Sequence, residues 1–362
     1  MENFDYDLQS VQEARNLARL GKIATDKLAD YTEEQIDKIL QNMVRVAEEN
    51  AVMLAKMAVE ETGFGKVEDK TYKNHMASTI VYNYIKDMKC SGIIHEDPVN
   101  KMMEVADPVG LIMGIVPSTN PTSTAIYKSM IAIKARNAIV FSPHPSALQC
   151  TLKAATLMRD AAVAAGAPEN VIGCLSMPSM GATDELMKCK ETSMIIATGG
   201  PGMVKAAYSA GKPALGVGAG NSPSYIERTA DVAQSVKEIL ASKTFDNGTV
   251  CASEQSVICE ECNRDQVIAE FKKQGGYFMT AEETAKVCNL LFKNGGHSMS
   301  AKFVGRSAQV IATAAGISIP DGTRVLIGEQ QGVGDGYPLS YEKLTTVLAF
   351  YTVRDWHEAC EL

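Results

Sequence analysis

The sequence predicts an α/β protein whose strands form mostly parallel sheets. Apolar, strand-like segments alternate with helical segments over residues 109–210, and a second alternation begins near residue 230. Continuous apolar strands of this kind are typical of sheets that helices cover on both faces. A chain of 362 residues, 46% of them hydrophobic, is long enough for about two domains.

The N-terminal part of the chain has a helical pattern. Thr32 and Gln35 have the spacing of a capping box. Six apolar residues then recur on one helix face: Ile36, Ile39, Leu40, Met43, Val44 and Ala47. A second helical run over 51–65 ends at Gly63 and Gly65, which are residues that stop helices.

A hairpin and four strand–helix pairs follow. Two short apolar runs in 90–106 flank the turn residues Asp97, Pro98 and Asn100, which predicts a protruding β-hairpin. Strands are predicted at 109–116, 138–142, 171–175 and 194–198, and helices near 122–135, 147–165, 181–189 and 202–210.

A glycine-dense passage at 211–227 closes this first α/β unit. The second unit is predicted to contain helices near 230–243, 264–273 and 281–292, and a strand at 255–259. The boundary is therefore expected near 225–230, which gives domains 1–226 and 227–362.

Charge and hydropathy exclude several classes of partner. The 43 acidic and 35 basic residues are dispersed and give a net charge of -8, so no nucleic acid partner is expected. No stretch approaches the roughly 18 apolar residues of a membrane span, and the acidic N-terminus does not resemble a signal peptide. Nine cysteines, an odd number, do not indicate a disulfide framework. A cytoplasmic protein without a membrane partner is expected.

Two glycine patterns could serve a ligand. The turn at 199–202 joins a strand to a helix, where backbone N–H groups can face a phosphate. Its spacing departs from the dinucleotide fingerprint at Lys205, so spacing alone favours a simple tight turn between strand and helix over a phosphate site. Gly216, Gly218 and Gly220 indicate either close backbone approach or a flexible linker.

Few other residues are candidates. Cys259 and Cys262 form a C-x-x-C pair without a second ligand pair, so no metal site is predicted. His144 follows a strand and has either a site role or a role in the loop. Cys251 stands between the turn-forming 246–248 and a predicted strand, a setting that suits an exposed thiol.

Four ordered motifs carry a resemblance to a known family. They are "PSTNPTS" at 117–123, the glycine-rich "ATGGPGMVKAAYSAGKPALGVGAGNSP" at 197–223, "FDNGTVCASEQ" at 245–255 and "YEKLTTVLAFY" at 341–351. Together they resemble the aldehyde dehydrogenase superfamily, and within it the coenzyme A-acylating enzymes, including the aldehyde dehydrogenase half of bifunctional aldehyde/alcohol dehydrogenases. The resemblance covers nearly the whole chain. It implies two Rossmann-type parallel-sheet α/β domains, a nucleotide-binding domain with the 90–106 oligomerisation hairpin inserted and a catalytic domain.

The resemblance implies that Cys251 is the nucleophile. Its thiolate would add to an aldehyde to give a thiohemiacetal, which loses hydride to NAD and becomes a thioester. Because a free thiol is mostly protonated at neutral pH, the site is expected to activate it. Asn120 matches the asparagine that stabilises the oxyanion, together with the Cys251 backbone N–H.

One departure from the wider family concerns the fate of the thioester. Hydrolytic relatives carry a glutamate that activates water, and alignment on Ser222-Pro223 puts Val217 at its place. Without that base, attack by a second thiol is favoured, since coenzyme A can react as a thiolate. The resemblance therefore implies coenzyme A as co-substrate.

The resemblance also implies a cofactor site. Glu342 matches the glutamate that binds the nicotinamide ribose, and His144 stands where hydrolytic relatives often have a lysine on the adenine ribose. NAD is favoured and NADP stays an alternative. The remaining implied contacts are Ser118, Thr119, Pro145, Gly199, Gly200, Gly202, Val217 and Gly218.

The substrate and assembly follow from the same resemblance. Acetaldehyde is the expected substrate, with propanal, succinate semialdehyde or sulfoacetaldehyde as alternatives, and an inactive nucleotide-binding remnant as a third reading. The chain ends before the segment that usually carries a Gly-His-Thr and a strand pairing with a neighbouring subunit. A homo-oligomer is expected if that segment is present. The lumen of a bacterial microcompartment is an alternative location.

Overall fold

A computed structural model of the chain describes residues 5–293 and 298–362. The chain divides into two compact units. Unit 1 comprises Met1–Thr62 and Val67–Gly218, and unit 2 comprises Gly63–Lys66 and Ala219–Leu362. This division precedes the expected boundary at 226, because the strand just after Gly218 pairs within the sheet of unit 2.

Unit 1 combines a helical N-terminal region, a hairpin and a parallel sheet. Its helices are α1 Tyr6–Leu28, α2 Glu33–Thr62, α3 Val67–His75, a π-helical turn Met76–Ile80, α4 Val81–Ile85, α5 Pro121–Lys134, α6 Leu148–Ala164, α7 Met180–Lys188 and α8 Pro201–Tyr208. Its strands are β1 Gly92–Asp97, β2 Met102–Ala106, β3 Leu111–Val116, β4 Ile139–Pro143, β5 Ile172–Cys174, β6 Thr192–Thr198 and β7 Ala214–Val217.

Helix α2 corrects one expectation. The two predicted helical runs form a single helix of 30 residues, because Ala51, Leu54, Ala55 and Ala58 continue the buried face without a breaker between the runs. The capping box at its start is confirmed: the side chain of Gln35 accepts from the Thr32 backbone N–H, at 2.8 Å, and the Thr32 hydroxyl accepts in return.

The central sheet of unit 1 has the order β5-β4-β3-β6-β7, and all neighbouring pairs are parallel. From β3 the chain crosses to β4 on one side, whereas from β6 it crosses to β7 on the other. The carboxyl ends of β3 and β6 therefore flank a topological switch point, where α/β sheets commonly bind ligands. The predicted strands and helices of this region are confirmed, and β1 and β2 form the expected antiparallel hairpin.

Unit 2 is a second parallel sheet with helices. Its strands are β8 Ser222–Ile226, β9 Glu254–Glu260, β10 Gly276–Phe278, β11 Phe292–Lys293, β12 Ser298–Met299, β13 Val325–Glu329 and β14 Val347–Val353. Its α-helices are α9 Val232–Thr244, α10 Arg264–Lys273, α11 Ala281–Leu291, α12 Ala308–Ala315 and α13 Trp356–Glu361. The main sheet has the order β10-β13-β14-β9-β8, with parallel pairs throughout.

The glycine-dense passage at 211–227 is more ordered than a flexible linker. It contains β7 and β8, which belong to different sheets, and the glycines between them lie at the change from one unit to the other. Among the described residues, no helix combines the length and apolar character needed to cross a bilayer.

A buried lysine joins the two strands at the switch point of unit 1. Lys128, on α5, donates hydrogen bonds to the carbonyl oxygens of Ile115 at 2.8 Å and Ile196 at 2.9 Å. Its side chain is inaccessible to solvent. Burial lowers the pKa of Lys128 to about 7, so the ends of β3 and β6 are fixed at the cost of burying an amine.

This amine makes stability depend on pH. Between about pH 7 and pH 10.5 the unfolded state binds more protons at Lys128 than the folded state does, so the free energy of unfolding rises with pH across that window. The contribution is at most about 1.4 kcal/mol per pH unit. We expect Lys128→Met to remove this part of the slope in urea titrations repeated from pH 7 to 10. Lys153→Met, at an exposed position of α6, should keep the slope of the parent protein; equal slopes in the two variants would contradict the assignment.

Candidate active site

The predicted cofactor residues of unit 1 lie at one edge of its sheet. Residues 118–120 follow β3, 144–145 follow β4, 199–202 follow β6, and 217–218 lie at the end of β7. Because all these strands are parallel, their carboxyl ends meet at the same edge. The structure thus brings together nine predicted cofactor residues and the catalytic candidate Asn120, which are spread over about a hundred positions of the sequence.

The turn between β6 and α8 suits the approach of a ligand. A side-chain carbon added at Gly200 or Gly202 would have no atom within 4 Å, so open space lies above both glycines. The hydroxyl of Thr198, at the end of β6, is buried and has no hydrogen-bond partner among the described residues. An orphaned donor beside an open glycine turn at a helix start fits a phosphate-bearing cofactor such as NAD.

The other edge residues have simpler surroundings. The ring Nδ1 of His144 accepts from the Ser146 backbone N–H at 3.2 Å, so the imidazole caps the short helical turn Pro145–Ala147. His144 and Pro145 are both exposed. Val217 is 48% exposed, and its carbonyl oxygen accepts from the backbone N–H of Gly199 at 3.1 Å. This hydrogen bond therefore joins the residue that follows β6 to the last residue of β7.

Asn120 immediately precedes α5, and its side chain has an unusual hydrogen-bond partner. It occupies the N-cap position, with Pro121 next, but its side chain makes no capping hydrogen bond. Instead its Oδ1 accepts from the ammonium of Lys73 at 2.6 Å, and its amide nitrogen donates to the Thr119 hydroxyl at 3.3 Å. Asn120 is half-buried, so its amide faces an environment where hydrogen bonds are worth more than in water.

In unit 2 the loop before β9 presents an exposed thiol. Cys251 follows the short helical turn Phe245–Gly248 and precedes β9 by two residues. Asp246 and Asn247 both have φ of 50°, a left-handed conformation that costs free energy unless the surroundings hold it. The predicted setting of Cys251, a turn followed by a strand, is confirmed.

Buried contacts hold that turn. The carboxylate of Asp246 is inaccessible to solvent and accepts from the Lys66 backbone N–H at 2.8 Å and the Thr249 hydroxyl at 2.6 Å. The amide of Asn247 donates to the Gly305 carbonyl at 3.0 Å. A side-chain carbon at Gly65 would lie 1.9 Å from Asp246 Oδ1, so only glycine fits there. The turn that leads into Cys251 is therefore held by buried contacts.

Gly220 links Cys251 to Glu342. Its backbone N–H donates to the Glu342 carboxylate at 2.9 Å, and a side-chain carbon added to it would lie 1.8 Å from the Cys251 carbonyl oxygen. These three residues precede β8, β9 and β14, which are neighbours in the sheet. They consequently meet at the amino edge of the unit 2 sheet, where Gly220 contacts both the Cys251 backbone and the Glu342 carboxylate.

A cluster of two buried lysines below this edge was missed by the sequence analysis. Lys243 donates to the Gln255 side-chain oxygen at 3.1 Å and to the Lys343 carbonyl at 2.9 Å, and the Lys343 backbone N–H donates to the same Gln255 oxygen at 2.8 Å. Burial lowers the pKa of Lys243 to about 7 and that of Lys343 well below its usual range. Burial also raises the pKa of Glu342. The signal was present, because Lys243 continues the apolar face of α9 three residues after Leu240.

The remaining candidates do not form a metal site. Cys259 is buried and Cys262 is exposed. Within residues 5–293 and 298–362, no group of three or more metal-binding side chains is assembled. Each unit thus contributes its own set of predicted residues, with the oxyanion and cofactor candidates on unit 1 and the thiol and ribose-binding candidates on unit 2.

An aldehyde dehydrogenase family model matches residues 5–281. Over 352 residues the chain is 48% identical to a bifunctional aldehyde-alcohol dehydrogenase of Escherichia coli K12, an alignment that covers 97% of this chain and 39% of that protein. The chain therefore spans about two-fifths of the length of this curated relative.

Solved structures extend the similarity. An acetylating aldehyde dehydrogenase from Geobacillus thermoglucosidasius is 55% identical, with a TM-score of 0.95 over 99% of this chain and 79% of that one. A propionaldehyde dehydrogenase from Rhodopseudomonas palustris, solved with bound coenzyme A and an acylated cysteine, is 28% identical, with a TM-score of 0.85 over 96% of this chain and 79% of that one. The α/β class and the parallel sheets expected from the sequence are confirmed.

The close approach at Gly220 yields a stability prediction. We expect Gly220→Ala to push the Cys251 loop away and to lower the free energy of unfolding by about 1–3 kcal/mol, measured from the urea midpoint. Gly181→Ala is the matched control, because its added carbon would meet other atoms only at 3.5 Å and beyond. The control should be neutral or slightly stabilising within α7. If the parent protein and Gly220→Ala unfold at the same urea midpoint, the Cys251 loop can move away from the added carbon without loss of stability, and the prediction is wrong.

Proposed function

Because the chain belongs to the aldehyde dehydrogenase family, we propose that it catalyses the NAD-dependent, coenzyme A-acylating oxidation of a short aldehyde. The observation that carries the proposal is the exposed Cys251 thiol on a loop whose backbone lies against Gly220, the residue that also binds the Glu342 carboxylate. The reaction is reversible, so an acyl-coenzyme A would also be reduced to the aldehyde.

Cys251 performs the covalent chemistry in this proposal. Its thiolate sulfur forms a bond to the aldehyde carbon, and the carbonyl oxygen becomes an oxyanion. NAD held at the Gly199, Gly200 and Gly202 turn would supply the hydride acceptor for that carbon. Collapse of the oxyanion leaves an acyl group on the Cys251 sulfur as a thioester, and the coenzyme A thiolate then attacks this carbonyl and releases the cysteine thiolate.

Asn120 acts as the donor to the oxyanion. Its Oδ1 is occupied by an ammonium group, so the atom it offers to a substrate is the amide nitrogen. A preorganised donor of this kind is worth about 10²–10³ in kcat. The amide therefore stabilises the tetrahedral oxygen in both the oxidation and the acyl-transfer step.

Val217 explains why the acceptor is a thiol. An exposed aliphatic side chain at this place cannot remove a proton from water, so hydroxide is not generated there. Coenzyme A needs less assistance because a thiol ionises far more readily than water does. The thioester on Cys251 thus persists until a thiol reaches it.

Each unit has its own candidate residues for NAD. On unit 1 the turn Gly199, Gly200 and Gly202, with the orphaned Thr198 hydroxyl, supports binding of the cofactor phosphates. Ser118, Thr119, His144, Pro145 and Gly218 lie along the same edge and complete the proposed lining. On unit 2 the Glu342 carboxylate would accept from the nicotinamide ribose. NAD is the proposed cofactor.

Acetaldehyde is the proposed substrate. The supporting observation is that the acetylating aldehyde dehydrogenase of Geobacillus thermoglucosidasius and the bifunctional enzyme of Escherichia coli share 55% and 48% identity with the chain, whereas a succinate-semialdehyde dehydrogenase shares 40% and the propionaldehyde enzyme 28%.

The hairpin β1–β2 supports assembly into a homo-oligomer. It carries exposed apolar side chains on both strands, namely Ile93, Ile94, Met102, Met103 and Val105. A two-stranded ribbon with such a surface is marginal in water unless something covers it. We include in the proposal that a second copy of the chain covers it.

The central test follows NADH absorbance with acetaldehyde, NAD and coenzyme A. We expect turnover that requires coenzyme A and that Cys251→Ala lowers by at least about 10³-fold, because the nucleophile is lost. Cys360→Ala, at another exposed cysteine, should match the parent protein. Turnover without coenzyme A would contradict the role given to Val217. Absence of turnover in the parent protein would overturn the proposed function.

A further inference from the structure

We propose that Lys73 is a positioning residue for Asn120, and that it orients the Asn120 carboxamide so that the NH₂ group faces the reacting oxygen. The inference rests on the proposed function, since it assigns the lysine a role in the oxyanion step. Lys73 lies on α3 and Asn120 at the start of α5, both within unit 1.

The contact itself is short and charge-assisted. The Lys73 Nζ lies 2.6 Å from Asn120 Oδ1, and both side chains are half-buried. A hydrogen bond from an ammonium is roughly twice as strong as one between neutral groups. It draws electron density towards Oδ1 and so makes the amide N–H groups better donors.

The lysine also decides which way the amide points. An ammonium can only donate, so it accepts no contact from an NH₂ group and fixes Oδ1 on its own side. An asparagine at an N-cap usually turns its oxygen to the backbone N–H groups of the first helical turn. Asn120 makes no such bond. The lysine replaces the helix as the partner of the oxygen, and the amide nitrogen is turned to the opposite side.

Further contacts fix α3 against the Asn120 loop. Lys70 donates to the Thr119 carbonyl at 2.8 Å, and the Asn74 side chain accepts from the Thr122 hydroxyl at 2.8 Å while donating to the Ala51 carbonyl at 2.9 Å. Asn74 is buried. Three residues of α3, at positions 70, 73 and 74, therefore make hydrogen bonds to residues 119, 120 and 122. Of the three, only Lys73 bonds to the side chain that the proposal places at the oxyanion.

The π-helical turn after α3 helps to fix the position of that helix. Residues 76–80 leave the α-helical hydrogen-bond pattern, and π-turns inside helices are often found at functional sites. The Glu48 carboxylate on α2 holds this turn through His75, Ser78 and Thr79. Lys73 thus lies on a helix that is hydrogen-bonded both to residues 119–122 and to Glu48 of α2.

The kinetic test is a double-mutant cycle in the coupled NADH assay. We expect Lys73→Met to lower kcat by about 10- to 100-fold, because a charge-assisted bond is lost and the amide can turn over. The KM for NAD and for coenzyme A should stay unchanged. In the Asn120→Ala background, Lys73→Met should have almost no further effect. Lys56→Met, an exposed lysine of α2, is the charge-matched control and should behave as the parent protein does.

Two kinetic outcomes would overturn the inference. If Lys73→Met lowers kcat equally in the presence and absence of the Asn120 amide, the lysine acts independently of that amide. If the variant raises the KM for coenzyme A with kcat intact, the lysine binds the co-substrate directly.

A spectroscopic readout separates this inference from the proposed function. In protein labelled with ¹⁵N-asparagine, the Asn120 carboxamide signals are identified by their loss in Asn120→Ala. We expect Lys73→Met to shift these signals and to speed exchange between the two amide protons, because the polarised C–N bond loses double-bond character. Unchanged signals would overturn the inference even in an active enzyme. A parent protein without turnover whose Asn120 signals do respond would instead overturn only the proposed function.

Discussion

The absence of a side chain at Gly220 is the constraint on which the unit 2 site depends. The Gly220 backbone passes so close to Cys251 that a side-chain carbon added to the glycine would lie 1.8 Å from the Cys251 carbonyl oxygen. The Gly220 N–H donates to the Glu342 carboxylate at 2.9 Å. One residue without a side chain therefore lies against both the Cys251 backbone and the Glu342 carboxylate. Buried contacts of Asp246 hold the turn before Cys251, and the buried Lys243 joins the Gln255 side chain to the Lys343 carbonyl.

The two units use opposite edges of the same kind of sheet. In unit 1 the predicted ligand residues lie at the carboxyl ends of the strands, around the switch point between β3 and β6, as is usual in open α/β sheets. In unit 2 Gly220, Cys251 and Glu342 precede their strands and lie at the amino edge. The candidate residues of unit 1 therefore lie beside helix starts, whereas those of unit 2 lie in loops that lead into strands.

Buried lysine amines form hydrogen bonds between neighbouring strands or loops in both units. Lys128 bridges the ends of β3 and β6, and Lys243 bridges the Gln255 side chain and the Lys343 backbone. An ammonium can satisfy several carbonyl oxygens at once, which suits strand ends and loops whose carbonyls lack partners. The cost is desolvation of the amine, visible as the lowered pKa of both lysines.

The sequence by itself determined most of the elements and the family, and it supplied the proposed site residues, because period, turn chemistry and ordered motifs are local signals. Strands such as 194–198 and the setting of Cys251 follow from them directly. Tertiary structure alone decided the assignment of β8 to the second sheet, the hydrogen-bond partners of the buried Lys243 and the contact of Lys73 with Asn120. Each of these depends on contacts between residues far apart in the chain, up to 100 positions for Lys243 and Lys343, and no local pattern encodes which distant backbone a side chain will meet.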